Sequence, residues 1–187
     1  MQSSMPDTNS IALAVLFATA LIVIYDGWKL YRANRDIPTL GKFPNGGMAW
    51  ESQMEQEFVR NITMIGSIVV MMITPWFLAD RSGTNIAWVV IFDILLALHT
   101  VWLITPKRYA VTRDALWVDG FRVDWSRLWW SGWKGGSSIT LQRKGWWRLA
   151  PLPIGGNSTD LESAALRIDA ILANQWDELI DILSEEE

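Results

Sequence analysis

The chain of 187 residues has no cysteine and a single histidine, His99. Without cysteine there is no thiol catalysis, zinc–thiolate site, iron–sulfur cluster or disulfide. No phosphate loop, dinucleotide fingerprint or HExxH run is present either. Catalysis needs a nucleophile with its base, a metal site or paired acids, so no catalytic residue is assigned and an enzyme is not expected. Residues 1–9 hold no Lys or Arg, so the basic start of a secretory signal is missing. Gln2 stands where N-myristoylation requires glycine. Ala18-Thr19-Ala20 has the look of a cleavage site, but it lies inside an apolar run, so Ser10–Tyr31 reads as a retained anchor.

What the chain does have is three long apolar runs, Ser10–Tyr25, Asn61–Ala79 and Asn85–Ile104. Each is near the roughly 20 residues needed to cross a bilayer. The expected membrane domain is therefore 1–105, with spans at about 10–31, 61–79 and 85–104 and a loop at 32–60. Cationic side chains gather in that loop and its approach (Lys29, Arg32, Arg35, Lys42, Arg60) and again after the third span (Lys107, Arg108, Arg113). The second loop has only Arg81. Cationic loops stay cytoplasmic, so the pattern predicts an inner-membrane protein with its N-terminus outside and its C-terminal domain in the cytoplasm. Trp28, Tyr31 and Trp76 suit the interfacial aromatic belt. Pro38, Gly41, Pro44 and Gly46-Gly47 predict an irregular first loop. Trp50, Met54 and Phe58, spaced by four, predict one apolar helical face after it.

Within the spans, Ser10, Ala14 and Ala18 form a ridge of small residues that lets another backbone approach, and Thr63, Ser67 and Thr74 make a comparable stripe. Pro75 removes one backbone hydrogen bond from the second span. Asp93 sits near the middle of the third span, where an unpaired carboxylate costs about 2.5–3.5 kcal/mol. Its expected donors are Thr63, Ser67 or Thr100, unless it is protonated or faces a partner subunit. His99, six residues on, is turned about 120° around the helix from it. The favoured reading of both is polar contacts that fix helix packing. Proton chemistry at Asp93, and ligation of a haem or chlorophyll-type pigment by His99, are the alternatives. Asp26 is expected to be hydrated at the cytoplasmic edge. No resident metal or cofactor is assigned.

From Arg108 the periodicity turns from helical to alternating. Short strands are expected at 109–112, 116–118, 121–125, 128–133, 138–143 and 146–150, with a hairpin turn at Asp119-Gly120. Pro151, Pro153 and Gly155-Gly156 should close the strand region. Thr159 and Glu162 then form a capping box for an amphipathic helix over about 160–183. Residues 106–187 thus make a small α+β domain, an antiparallel barrel or sandwich with a C-terminal helix. The run Tyr109-x-Val111-Thr112, Leu116-x-Val118, Val123-x-Trp125-x-Arg127-Leu128 resembles the bacterial pleckstrin-homology-like domains that follow a membrane hairpin. The resemblance covers about Asn61–Leu183. It implies the fold, and it brings no catalytic residue and no phosphoinositide site.

Of the 13 Trp, Trp125, Trp129, Trp130, Trp133, Trp146 and Trp147 crowd this domain. Neighbours such as Trp129/Trp130 must point to opposite faces of a strand, so several are expected at a surface. Trp129, Trp130, Trp133, Trp146 and Trp147, with Arg143, Lys144 and Arg148, are the candidate docking set for protein or membrane. Stacking on nucleic acid is not expected in a tethered domain. Lys107–Gly156 carries nine Lys/Arg against three Asp, whereas Asn157–Glu187 carries one Arg against nine acids. The basic stretch suits lipid headgroups or an acidic neighbour. The expected role is an accessory or assembly subunit of a larger membrane complex (respiratory, photosynthetic or transport), bound to integral membrane subunits and lipids. The alternative is a stand-alone lipid- or peptide-binding sensor at the membrane surface.

Overall fold

A computed structural model describes residues 7–145 and 150–185. The chain divides into two compact units, Met1–Trp28 with Phe58–Thr105, and Lys29–Glu57 with Pro106–Glu187. That division departs from a boundary at residue 105, because the segment between the first two spans belongs with the C-terminal half.

Helices α1 (Thr8–Asp36), α2 (Met54–Ser82) and α3 (Ile86–Ile104) are each long and apolar enough to cross a membrane, and the first unit takes α1 up to Trp28, α2 from Phe58 and all of α3. Only 11% of each apolar window is buried inside the protein. A helix satisfies all its backbone groups internally, which is what a bilayer requires of any segment that crosses it. Leu16 and Val23 on α1, and Val89 and Leu96 on α3, are buried. Both pairs are seven residues apart, the spacing of a seam between near-parallel helices. Gly27 leaves room for the Trp102 indole, which a Cβ would meet at 3.3 Å. Asn85 caps α3 by accepting from Ala87 N at 2.9 Å. Pro75 lies inside α2, which continues through it as one helix.

In the second unit, the segment expected to be irregular is a hairpin. Strands β1 (Gly41–Lys42) and β2 (Met48–Glu51) pair, and Phe43 N donates to Gly47 O at 2.7 Å across the turn. The glycines and prolines mark a tight reversal, with Gly46 at φ +79°. Strands β3 (Arg108–Val111), β4 (Ala115–Val118) and β5 (Phe121–Asp124) complete an antiparallel sheet in the order β1-β2-β3-β4-β5. Met48 lies opposite Val111 and Glu51 opposite Arg108. Trp50 is therefore a strand residue buried against Tyr109, their rings 5.7 Å apart, and not part of a helical face with Met54 and Phe58. Its four-residue spacing from Met54 spans two different elements. The β4–β5 turn is the expected one, with Asp119 and Gly120 both at positive φ.

A 3-10 turn at Trp125–Arg127 leads into a second sheet of β6 (Leu128–Trp129), β7 (Ser138–Arg143) and β8 (Leu152–Gly155), in that order. The two sheets are open and, among the described residues, no closed barrel forms. The expected strand at 128–133 stops at Trp129, and Gly132, Gly135 and Gly136 all take positive φ beyond it. The expected strand at 146–150 falls largely outside the described residues. Instead, Pro151–Gly156 supplies a strand, with Pro153 tolerated because β8 is at an edge.

Helix α4 (Ser158–Leu172) packs Leu161, Ala164, Ala165 and Ile168 onto the shared core of Tyr109, Leu116, Ile139, Leu141 and Ile154. Its cap is Asn157, whose Oδ1 accepts from Asp160 N at 2.7 Å, in place of the Thr159–Glu162 box. The single helix expected to 183 is two helices. Asn174 adopts φ +59°, Asn174 N donates to Ile171 O and Gln175 N donates to Ala170 O. This pair of bonds is a Schellman ending with asparagine in the place of glycine. A second helix, α5 (Trp176–Glu185), follows it.

Candidate functional site

Asp93 and His99 each meet a residue of another helix. Trp76 Nε1 donates to Asp93 Oδ2 at 2.7 Å. The donor is an indole N–H and not the Ser67 or Thr100 hydroxyl. Ser67 Oγ donates to Thr63 O and Thr100 Oγ1 donates to Leu96 O, so both hydroxyls are spent on the preceding turn of their own helix. Trp76, which is exposed, thereby ties α2 to α3. The second contact pairs His99 with Asp26: Nδ1 lies 3.3 Å from Asp26 Oδ2, close enough for an ion pair but out of line for a hydrogen bond. The His99 side chain is 12% exposed and that of Asp26 is 26% exposed. The 120° between Asp93 and His99 is what sends one to α2 and the other to α1. Sequence reasoning named Asp26 but had no signal for its partner, because the pairing is between helices.

The small-residue stripes point the other way. Ser10, Ala14 and Ala18 are exposed along α1, and Thr63 and Ser67 along α2. They do not pack the chain's own helices. Leu16, Val23 and Ile68 do that.

In the sheet domain, Trp129 on β6 is 51% exposed, and its neighbour Trp130 turns onto the core. Trp130 Nε1 donates to Asp169 Oδ1 at 2.5 Å, which joins the sheet to α4. Trp133 also packs on the core, with Nε1 buried and without a hydrogen-bond partner among the described residues. Trp125 is buried, and Nε1 donates to Thr112 O at 3.0 Å. Of the candidate docking set, Trp129 and Lys144 present their side chains outward and Arg143 is half-buried. Trp146, Trp147 and Arg148 lie outside the described residues. Among the described residues, no three His, Asp or Glu side chains gather as a metal site would require.

Two of the unit's ion pairs sit where its discontinuous segments join. Glu57, fully buried, lies 3.3 Å from Lys107 Nζ. Arg108 Nε lies 3.2 Å from Glu51 Oε2, and Arg108 Nη1 donates to Ile37 O at 3.0 Å. Ser52 N donates to Lys107 O at 2.9 Å. These bonds fasten the segment before α2 to the segment after α3. Comparison with protein-family models, with curated proteins and with solved structures finds no match to the chain.

Proposed function

We propose that the chain is a non-catalytic accessory subunit that assembles with larger integral membrane proteins through its helices and braces them with its sheet domain. The observation that carries this reading is the uncovered ridge of Ser10, Ala14 and Ala18. Small residues at intervals of four favour close helix approach, and no helix of this chain makes use of them. The hydrogen bond from Trp76 to Asp93 supports a structural role for that carboxylate, ahead of proton transfer. The domain is read as pleckstrin-homology-like, supported by two open antiparallel sheets with helices at the C-terminal end. Trp129 and Lys144 are its contact residues. The membrane is the bacterial inner membrane, with the N-terminus outside and the sheet domain cytoplasmic. Pairing of β2 with β3 supports that arrangement, since two crossings, α2 and α3, return the chain to the same side.

Native mass spectrometry of the protein extracted from its own membrane in mild detergent tests the proposal. The expected result is stoichiometric retention of larger integral subunits, lost when Ala14→Leu and Ala18→Leu are combined. A lone protomer or a homo-oligomer would overturn it and favour a membrane-surface sensor.

A further inference from the structure

The second unit contains a cavity of about 420 Å³ between the β1–β2 turn and the two C-terminal helices. Phe43, Pro44, Ile180 and Leu183 give it apolar walls, and Arg167 also lines it. Gly46 brings the turn against α5, where a Cβ would come within 2.8 Å of Ile180 Cγ1.

Arg167 is an unusual residue to find there. It is 3% exposed, yet its two hydrogen bonds both go to neutral carbonyls, Nε to Gly46 O at 2.8 Å and Nη1 to Ser163 O at 2.9 Å. No carboxylate lies within ion-pair distance among the described residues. A guanidinium has five N–H donors in a fixed fork. Nη2 is left without a protein partner among the described residues, and it is not sealed in the interior. Burial lowers the Arg167 pKa from its ordinary value, though a guanidinium keeps its proton at neutral pH. Burying a charge without a counter-charge is costly, and an arginine with an open N–H edge is the side chain best suited to a carboxylate or a phosphate. The acids of α5, Asp177, Glu178, Asp181 and Glu185, are exposed and do not line the cavity.

We propose that this cavity binds a small amphipathic anion, an alkyl carboxylate or alkyl phosphate whose head meets Arg167 and whose short chain lies along Phe43, Pro44, Ile180 and Leu183. The volume falls in the range of small-molecule sites, which are mostly apolar with a few fixed polar groups. Lys42 and Ser184 add polar atoms to the lining. The site is independent of the proposed docking role, since it involves neither Trp129 nor the helix ridges.

The test is isothermal titration of the full chain in phosphatidylcholine nanodiscs with hexyl phosphate, hexanoate and hexanol. At least one anion should bind saturably and hexanol should not compete. Binding of the phosphate alone identifies a phosphate ester as the ligand, and binding of hexanoate alone identifies a carboxylate. Arg167→Gln should weaken binding at least tenfold. Because Arg167 also anchors Gly46, Ser184→Asp is the second variant. It places a carboxylate on an exposed lining residue and should weaken binding at least tenfold with the fold intact. No saturable binding, equal binding of hexanol, or unchanged affinity in Ser184→Asp would overturn the proposal. So would binding of an acidic peptide when neither hexyl anion binds.

Discussion

Replacing Trp50 with alanine should loosen strands far from it in the chain. Trp50 lies in the segment between the first two long apolar helices, yet it is 3% exposed, stacks on Tyr109, and donates from Nε1 to Gly155 O at 2.9 Å. Truncating a buried aromatic to alanine costs about 3–5 kcal/mol in lost contacts and residual cavity. The orphaned Gly155 carbonyl adds to that figure only where water cannot reach it. At about 1.4 kcal/mol per factor of ten, the opening equilibrium of the domain should rise by two to three and a half orders of magnitude, roughly 10² to 4 × 10³. Hydrogen exchange of the full chain, followed by mass spectrometry on peptides covering Arg108–Val118 and Leu152–Gly155, measures it directly. Trp50→Phe keeps most of the packing and loses the hydrogen bond, so its effect should be about 1–2 kcal/mol. If Trp50→Ala changed exchange in both peptides by less than about threefold, under 1 kcal/mol, the β1–β2 hairpin would not be part of the sheet.

Gly120→Ala should cost at least about 1 kcal/mol from its positive φ alone, and more from a Cβ that would approach Lys29 O. Exchange across Ala115–Asp124 would report it. Burial raises the pKa of Asp160 in the folded chain, so the folded state holds a proton more tightly than the unfolded state. The α4 end should therefore be most stable below the ordinary carboxylate pKa and lose that increment as pH rises through the raised value. A pH series of exchange rates, with Asp160→Asn removing the dependence, checks the sign. Asp93→Asn keeps an acceptor for Trp76 and should be tolerated. Trp76→Phe leaves a membrane carboxylate without its donor and should lower the detergent melting temperature more than Asp93→Asn does.

The three helices were legible because long, mostly apolar runs leave few alternatives to a bilayer. The Asp119-Gly120 hairpin was legible because two adjacent positive-φ positions need a turn sequence of that kind. Non-local pairing was not. Nothing within residues 38–51 indicates that Met48 will face Val111, and the glycines and prolines of the turn conceal the strands on either side. The break between α4 and α5 was hidden because Asn174 does glycine's work at the helix end. Of the candidate site, burial could be argued for Asp93 and His99, whereas the identity of their partners, Trp76 and Asp26, depends on how three helices rotate against each other.

Because β2 precedes α2 and β3 follows α3, the sheet cannot close until both intervening helices have been synthesised. If either helix failed to insert, Met48 and Val111 would be stranded on opposite faces of the bilayer. The domain would be left with a bare β3 edge, the kind of surface that aggregates or attracts proteases. On the membrane reading proposed above, folding of the sheet thus inspects the insertion that came before it. A fragment beginning at Pro106 would lack Trp50 and Glu57 from its interior and would be a poor substitute for the whole chain.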